Sequence, residues 1–340
     1  MKTHQKIRSI KGFFSVEREK RPSYMQFRRL YAVTPLSIVL ILFIQLCSIT
    51  LNFRKGKRPF MKVKYENNSV ILSDVDDFSL EQTLNCGQCF RWEKDENEIW
   101  HGIVCGKKAT LYKREETVCF EGVSRRDFET IWWDYFDLGR DYSALKDSFS
   151  ENPILEKACS FASGIRVLHQ EPWEAFITFI ISQNNNITRI KRLVKRLCEA
   201  FGEEISEGEY SFPSPEKLSL AKEEELRALG CGYRSSYIIK AADEVNSGRL
   251  ILDDLNHMVL SEARNRLMQI SGIGPKVADC ILLYGFGRTE CCPMDVWMKR
   301  VLLAFGGSLP ECVEDNAGIA QQFLFHYARN NPEKFVNVKT

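Results

Sequence analysis

Between residues 62 and 122, hydrophobic and polar positions alternate in short runs. The runs are rich in β-branched and aromatic side chains, and polar or glycine turns separate them, a pattern typical of β-strands. Because the connections are short, neighbouring runs are expected to pair antiparallel. The predicted strands cover 70–72, 90–92, 99–104, 109–112 and 117–120.

From Arg125 onward the apolar side chains recur at helical spacing instead, beginning with Phe128 and Ile131. The predicted fold class is therefore α+β. A small antiparallel β-sheet domain at residues 61–150 precedes an all-α domain at residues 151–340. The predicted helices cover 172–182, 186–201, 222–229, 235–246, 260–269, 276–286, 294–305 and 316–329.

The segment before these two regions, residues 1–60, is a basic leader with an apolar span. Residues 30–53 contain no charged side chain and are long enough to cross a bilayer. Met61 directly follows the leader, which favours a segment outside the working fold and a cytoplasmic, nucleoid-associated protein. The alternative is a membrane anchor at 30–53, with its flanking bases setting the orientation.

Composition and charge narrow the class of protein. At 44% hydrophobic and 27% charged residues, the chain is neither collagen-like, nor fully disordered, nor a polytopic membrane protein. The net charge of +2 is unevenly spread: residues 1–60 hold thirteen Lys and Arg against two Glu, and the rest holds 34 bases against 43 acids. Any contact with nucleic acid must therefore come from local basic features. Twelve cysteines are too few for a disulfide scaffold of this length and favour a reducing compartment.

The most informative segment is 267–286. After a predicted helix, Gly272 and Gly274 form a tight turn, and Pro275 opens the next helix. Such a turn exposes backbone N–H groups at a helix N-terminus, which can hold a phosphate because glycine has no Cβ in the way. An ordinary turn between helices explains a lone Gly-x-Gly equally well, but the longer pattern that includes Lys276 is more specific.

This hairpin, together with Asp295 in the segment Pro-Met-Asp, resembles the helix-hairpin-helix glycosylase superfamily. Four other segments resemble one branch of it, the 8-oxoguanine DNA glycosylases, and they occur in the order of that family. The resemblance spans about residues 62–330 and leaves out residues 1–60. The four segments are 85–92, 182–190, 229–234 and 317–325.

The resemblance implies a bifunctional DNA glycosylase and AP lyase that acts on double-stranded DNA containing 8-oxoguanine opposite cytosine. It implies a monomer with no protein partner and no cofactor. Lys276 would attack the sugar and form a Schiff base, and Asp295 would offset the developing positive charge. By pattern alone, Lys276 could be a solvated or phosphate-contacting lysine. Asp295 could be an N-cap, a role that is compatible with catalysis.

The resemblance also implies a base pocket. The carbonyl of Gly87 would meet the N7–H of 8-oxoguanine, Cys280 and Phe325 would sandwich the flipped base, and Gln321 would bind its pairing edge. By pattern alone, Gly87 would be a turn glycine and the other three would be ordinary helix residues.

A further group of residues is implied on the side of the opposite base. Asn184, Arg189 and Arg234 would read the unpaired cytosine, since Arg and Asn can contact a base edge through two hydrogen bonds. Tyr233 would fill the emptied stack. By pattern alone, Arg189 belongs to a solvated basic helix face and Tyr233 to the core.

The chain departs from the family pattern in two places. Trp297 stands where animal members carry His, which puts a His-dependent phosphate contact in doubt. The connection at 301–316 is short, which could weaken the base pocket and leaves an alternative open. A non-catalytic hairpin DNA-binding protein would also fit a weakened base pocket. Cys86 and Cys89 form one Cys-x-x-Cys without a second pair, so zinc is not predicted. The cysteines at 280, 291, 292 and 312 lack a cluster spacing, so no iron–sulfur cluster is predicted either.

Overall fold

The computed structural model of the protein describes residues 61–75 and 77–335. All of them fall within one of the chain's two structural units, Gly56–Thr340. The predicted apolar span at 30–53 lies outside the described residues. Within the described part of the chain, no helix is long and apolar enough to cross a membrane.

Six antiparallel strands form the N-terminal sheet, in the order β1-β2-β6-β5-β4-β3. Buried side chains face each other across the central pairs, with Val70 opposite Phe120 and Leu72 opposite Val118. The strands are β1 (Lys62–Glu66), β2 (Ser69–Ser73), β3 (Trp92–Lys94), β4 (Trp100–Val104), β5 (Lys107–Arg114) and β6 (Thr117–Glu121).

The sequence pattern was wrong about three details of this region. The predicted strand at 90–92 begins only at Trp92, and a short helix, α1 (Leu80–Asn85), precedes it. The hydroxyl of Ser79 caps α1 by accepting a hydrogen bond from the Gln82 amide at 3.3 Å. Strand β1 was not predicted, because as an edge strand it has mostly exposed side chains.

One face of the sheet is covered by a helical segment that runs from Arg125 to Tyr135 and has a π-helical centre at Phe128–Trp132. Trp92 lies at the middle of this core and donates its indole N–H to the Tyr135 hydroxyl at 2.8 Å. Opposite it on β4, a Cβ on Gly102 would lie 2.3 Å from the Trp92 ring, so this strand position requires glycine.

The C-terminal part is helical, and the eight predicted helices are found within about two residues of their predicted ends. Two longer helices were not predicted, α2 (Tyr142–Phe149) and α3 (Pro153–Phe161). The helices that follow are α4 (Pro172–Ser182), α5 (Ile187–Phe201), α6 (Pro215–Ser219), α7 (Glu223–Ala228), α8 (Arg234–Asn246), α9 (Leu260–Met268), α10 (Pro275–Phe286), α11 (Val296–Ala304) and α12 (Ala317–Asn330). A small hairpin, β7 (Glu204–Ser206) and β8 (Glu209–Tyr210), joins α5 to α6.

Two hydrophobic cores correspond to the sheet and to the helices. Tyr142 and Phe149 pack in the helical core, whereas Leu168 packs in the sheet core. Side chains from before residue 150 thus pack in the helical core, and a side chain from after it packs in the sheet core. The division at residue 150 stays a prediction. The α+β fold class, with a sheet first and helices after it, is confirmed.

Candidate active site

The turn between α9 and α10 uses its two glycines for different reasons. Gly272 has a φ of +90°, and a Cβ there would lie 2.3 Å from the Tyr237 ring, so both conformation and packing require glycine. Gly274 is the N-cap of α10, and a Cβ there would meet no atom within 4 Å. The space in front of the Gly274 end of the helix is therefore open to a ligand, as a phosphate site requires.

An ion pair joins the two helices of this hairpin. The Arg264 Nε on α9 donates to Asp279 Oδ1 on α10 at 2.7 Å, and Asp279 is only 8% exposed. Burial raises the pKa of Asp279, while Arg264 acts in the opposite direction. The sequence did not reveal this pair, because its members are fifteen residues apart and their contact depends on how the helices pack.

Lys276 and Asp295 occupy the starts of consecutive helices. Lys276 is the second residue of α10 and is half-buried, and Asp295 caps α11 by accepting the Met298 amide at 2.8 Å. Burial raises the pKa of Asp295, whereas the Met298 amide and the positive charge of Lys276 oppose that rise. The structure therefore brings these two predicted residues together, with the capping interpretation of Asp295 correct.

Cys280 adjoins the same lysine one helical turn later on α10. It is 3% exposed, and burial raises the pKa of its thiol, while the charge of Lys276 and a hydrogen bond with it act in the opposite direction. Lys276 is thus electrostatically coupled to Cys280 and to Asp295, which places one member of the predicted base pocket beside the predicted catalytic pair.

Gly87 lies in a tight turn directly after α1. Its φ is +96°, and a Cβ there would lie 2.7 Å from Cδ1 of Ile187, the first residue of α5. The guanidinium Nη1 of Arg329 on α12 would be 3.6 Å from that Cβ. The Gly87 turn, the start of α5 and the end of α12 therefore approach one another closely. A glycine in a turn does not by itself predict such a contact.

Gln88, which the sequence analysis missed, holds this turn in place. It is fully buried; its Nε2 donates to the carbonyls of Thr83 and Arg166 at 2.9 and 2.8 Å, and its Oε1 accepts the Leu168 amide at 2.9 Å. The side-chain Nε2 of Gln170 donates to the Gln88 backbone carbonyl at 2.7 Å. The buried hydrogen bonds of Gln88 therefore hold the neighbouring Gly87 in place. No local sequence signal distinguishes Gln88 from a surface glutamine.

The two cysteines beside this turn act as hydrogen-bond donors to α1. Cys86 Sγ donates to the Thr83 carbonyl at 3.2 Å, and Cys89 Sγ donates to the Leu84 carbonyl at 3.6 Å. Burial raises the pKa of Cys86 to about 12 and raises that of Cys89 as well. In residues 61–75 and 77–335, no three His, Cys, Asp or Glu side chains are grouped so that they could hold a metal ion.

The remaining predicted pocket residues lie on α12. Gln321 is 4% exposed, and within the described part of the chain its Oε1 has no hydrogen-bond partner; Phe325, one turn later, is half-buried. The short connection at 301–316 ends in a 3-10 helix, Glu311–Asn316. The Gly318 amide then donates to the Thr289 carbonyl at 2.8 Å, which anchors the start of α12 beside the loop that follows α10.

On the predicted opposite-base side, Arg234 is buried and organises a turn. It is 4% exposed; its Nε donates to the Gln183 carbonyl at 2.8 Å, and its Nη2 donates to the carbonyls of Gln183 and Asn184, the latter at 3.1 Å. Asn184 is exposed, with a left-handed φ of +50°. Arg234 thus holds the Asn184 turn in this structure, a function that its sequence position did not reveal.

Tyr233 is 46% exposed, so the interpretation as a core residue is wrong. The Arg234 guanidinium lies 4.5 Å from the centre of its ring, and the Tyr237 ring meets it edge-on at 5.9 Å. Because Tyr237 also lies against Gly272, it connects the exposed ring of Tyr233 to the hairpin.

The basic helix α5 divides its side chains between two partners. Arg189, which is exposed, and Arg196 donate to the carbonyls of Gly230 and Leu229 at 3.4 and 3.3 Å, in the turn that precedes Tyr233. Lys191 donates to the Trp92 carbonyl on β3 at 2.8 Å. The bases of this helix therefore also join the helical part to the sheet, and they do not form one uniform solvated face.

Trp297, the departure from the family pattern beside Asp295, is half-buried. The Arg300 guanidinium lies 4.9 Å from the centre of its ring. The position that animal members of the family give to His thus carries an aromatic ring paired with a cation.

Comparison with known proteins agrees with this arrangement. The family model of the 8-oxoguanine DNA glycosylase N-terminal domain matches residues 70–176. The family model of the HhH-GPD superfamily base excision DNA repair proteins matches residues 177–317. The chain belongs to the 8-oxoguanine DNA glycosylase family. Neither match reaches residues 1–60.

Two curated relatives of this chain are named N-glycosylase/DNA lyases. An N-glycosylase/DNA lyase of Saccharomyces cerevisiae is 36% identical over 65% of this chain and 66% of its own length. A probable N-glycosylase/DNA lyase of Methanothermobacter thermautotrophicus is 30% identical over 67% of this chain and 82% of its own. The chain thus spans about two thirds of the length of the yeast relative.

Solved structures match over nearly their full length. The structure of MBOgg1 in complex with a low-affinity DNA ligand has a TM-score of 0.75 at 38% identity, covering 80% of this chain and 99% of its own. The Clostridium acetobutylicum 8-oxoguanine glycosylase/lyase, in complex with double-stranded DNA containing cytosine opposite 8-oxoguanine, has a TM-score of 0.75 at 33% identity, covering 81% and 99%.

Proposed function

We propose that this protein is a bifunctional DNA glycosylase and AP lyase, which removes 8-oxoguanine opposite cytosine from double-stranded DNA. The observation that carries the proposal is the placement of Lys276 and Asp295 at the starts of α10 and α11, where the lysine charge acts on a half-buried carboxylate. The Clostridium relative, bound to DNA with cytosine opposite 8-oxoguanine, supports this choice of substrate.

In the proposed reaction, the neutral amine of Lys276 attacks C1′ of the lesion nucleotide. The C1′–N9 bond breaks, its electron pair leaves with the base, and the base takes up a proton. The Asp295 carboxylate stabilises the positive charge that develops on the sugar. The amine then loses a proton, the C1′–O4′ bond opens and O4′ takes up a proton, which leaves a Schiff base between C1′ and Nζ of Lys276. Loss of a C2′ proton and breakage of the C3′–O bond follow, and the phosphate leaves with the strand on the 3′ side. Lys276 and Asp295 supply the nucleophile and the charge, so the reaction requires no cofactor.

In the base pocket, we assign the flipped 8-oxoguanine to the space among Gly87, Cys280, Gln321 and Phe325. The Gly87 carbonyl would accept N7–H, which guanine lacks. The Gln321 Oε1 has no partner within the described residues, and leaving such a buried acceptor unpaired costs about 1–3 kcal/mol. A base that donates from its pairing edge would supply the missing bond.

On the DNA side, the exposed ring of Tyr233 is proposed to enter the stack where the lesion was. Asn184, Arg189 and Arg234 would read the cytosine, with Arg234 exchanging some of its carbonyl partners when DNA binds. The open space at the Gly274 N-terminus of α10 is proposed to receive a backbone phosphate. We propose that the protein acts as a monomer on DNA in the cytoplasm, without a protein partner.

Borohydride trapping on the full chain tests the proposal. A duplex with a single 8-oxoguanine:cytosine pair should form a covalent adduct with the wild-type protein and none with Lys276→Gln. Lys217→Gln, which alters an exposed lysine of α6, is the matched control and should form the adduct normally. Tight binding without adduct or strand cleavage at any pH from about 6 to 9 would instead indicate the non-catalytic DNA-binding alternative.

A further inference from the structure

Two consecutive glutamines, Gln321 and Gln322, lie in an otherwise apolar stretch of α12. They are 4% and 1% exposed, and the residues on either side, Ala320 and Phe323, are fully buried. Burying an amide is unfavourable unless hydrogen bonds satisfy it, so such residues are expected only where they serve a purpose. The proposed function uses Gln321 but assigns nothing to Gln322.

Gln322 accepts a hydrogen bond from Tyr284 on α10, with 2.5 Å between the phenol oxygen and Oε1. Tyr284 lies one turn after Cys280 and is 4% exposed. Its ring stacks on Phe179 of α4, with centroids 5.1 Å apart and planes at 16°. Burial raises the pKa of Tyr284 well above its usual value, and the thiols of Cys280 and Cys86 add to the rise, so the phenol stays an O–H donor.

The bond restrains the rotation of α12 relative to α10. Successive helical positions point about 100° apart, so holding Gln322 also sets the direction of Gln321 and of Phe325 one turn later. The Gln322 Nε2 and the Gln321 Oε1 both have no hydrogen-bond partner among the described residues. The bond from Tyr284 is therefore the polar contact that holds the Gln322 side chain.

We propose that Tyr284 and Gln322 are positioning residues for base recognition: their hydrogen bond keeps Gln321 and Phe325 in register with Cys280. The inference rests on the proposed function. It predicts an effect on base excision and none on cleavage at an abasic site. Excision requires a base seated among these side chains, whereas cleavage at an abasic site has no base to seat and requires only the Lys276 chemistry.

The test compares two substrates under single-turnover conditions with the full chain. In Tyr284→Phe the ring stacking is retained and the hydroxyl is lost; Gln322→Met removes the other partner at similar length. Each variant should excise 8-oxoguanine opposite cytosine about tenfold more slowly, the loss expected for one buried hydrogen bond. Cleavage of a preformed abasic site opposite cytosine should stay within about twofold of wild type.

Tyr135→Phe is the matched control, because the Tyr135 hydroxyl accepts the Trp92 indole N–H at 2.8 Å in the sheet core. It should lower the thermal unfolding temperature and leave the ratio of the two rates unchanged. Equal losses on both substrates in the Tyr284 and Gln322 variants, or no loss on either, would overturn the inference. A wild-type chain inactive on both duplexes would overturn the proposed function, and the inference with it.

Discussion

The Arg264 guanidinium on α9 and the Asp279 carboxylate on α10 form a 2.7 Å hydrogen-bonded ion pair that joins the two helices of the hairpin. Asp279 lies three residues after Lys276 on the same helix. The pair therefore sets the packing of the helix that carries the proposed nucleophile, although neither of its members has a proposed contact with DNA.

Removing Arg264 should destabilise the protein. Arg264→Met leaves the buried Asp279 carboxylate without its cation, which is expected to lower the free energy of unfolding by roughly 2–3 kcal/mol at pH 7. The loss should shrink as the pH falls, because burial already raises the pKa of Asp279 and the lone carboxyl can take up a proton. Denaturant titrations at two pH values measure this. Recovery of stability in Arg264→Met/Asp279→Leu is the control.

The two roles of Asp295 can be separated by substitution. Asp295→Asn keeps an N-cap acceptor for the Met298 amide but removes the charge. We expect a change in unfolding free energy below about 1 kcal/mol and a loss of roughly 100-fold or more in single-turnover excision. A variant that excises normally while unfolding normally would show that the carboxylate charge is not used.

Alanine substitutions at the two hairpin glycines should affect different properties, folding stability at Gly272 and DNA binding at Gly274. Gly272→Ala combines a left-handed φ with a clash against Tyr237, so we expect it to lower the free energy of unfolding by about 1–2 kcal/mol or more. Gly274→Ala meets open space and should cost less than about 1 kcal/mol, while weakening DNA binding by obstructing the approach of a phosphate. Thermal unfolding and a DNA-binding titration distinguish the two; equal DNA affinity in Gly274→Ala and wild type would contradict the phosphate site.

Tyr233 should matter to DNA and little to folding. Its ring is 46% exposed, so Tyr233→Ala is expected to change the unfolding free energy by about 0.5 kcal/mol at most. Loss of stacking should weaken binding to the lesion duplex by about 1–3 kcal/mol. Competition binding with lesion and undamaged duplexes checks this, and an unchanged lesion affinity would remove Tyr233 from the interface.

His169 should make stability depend on pH. Burial alone would lower the pKa of His169, and Arg140 acts in the same direction, but the hydrogen bond with Asp134 and the charge of Asp137 raise it above its ordinary 6.5. The protonated form is therefore favoured by folding. The stabilisation that protonated His169 provides should be complete below pH 6.5. It should be lost as the pH rises through the pKa of His169 in the folded protein.

The control for that pH dependence is His169→Gln, followed by thermal unfolding between about pH 5 and 9, the range in which a perturbed histidine titrates. The wild-type protein should lose stability relative to the variant as the pH rises through this range. Parallel curves for the two proteins would show that His169 does not carry the dependence.

Much of the fold and of the site follows from local sequence. The strand and helix patterns, the Gly272–Gly274 turn, and the capping position of Asp295 each depend on residues only a few positions apart, where φ preferences, periodicity and capping act. Gly87 was marked as a turn glycine for the same reason. These features could be predicted because the physics that determines them is contained in short segments.

Contacts between distant segments could not be predicted. The resemblance to the family predicted that Arg234 reads the unpaired cytosine. The tertiary structure shows its guanidinium buried against the carbonyls of Gln183 and Asn184, about fifty positions earlier. Tyr284 with Gln322 and Arg264 with Asp279 likewise depend on how helices rotate against each other. The sequence by itself determined the class of fold, the hairpin and the residue types of a Lys–Asp site. The tertiary structure decided which polar groups are buried and paired, because burial and pairing result from packing and not from position along the chain.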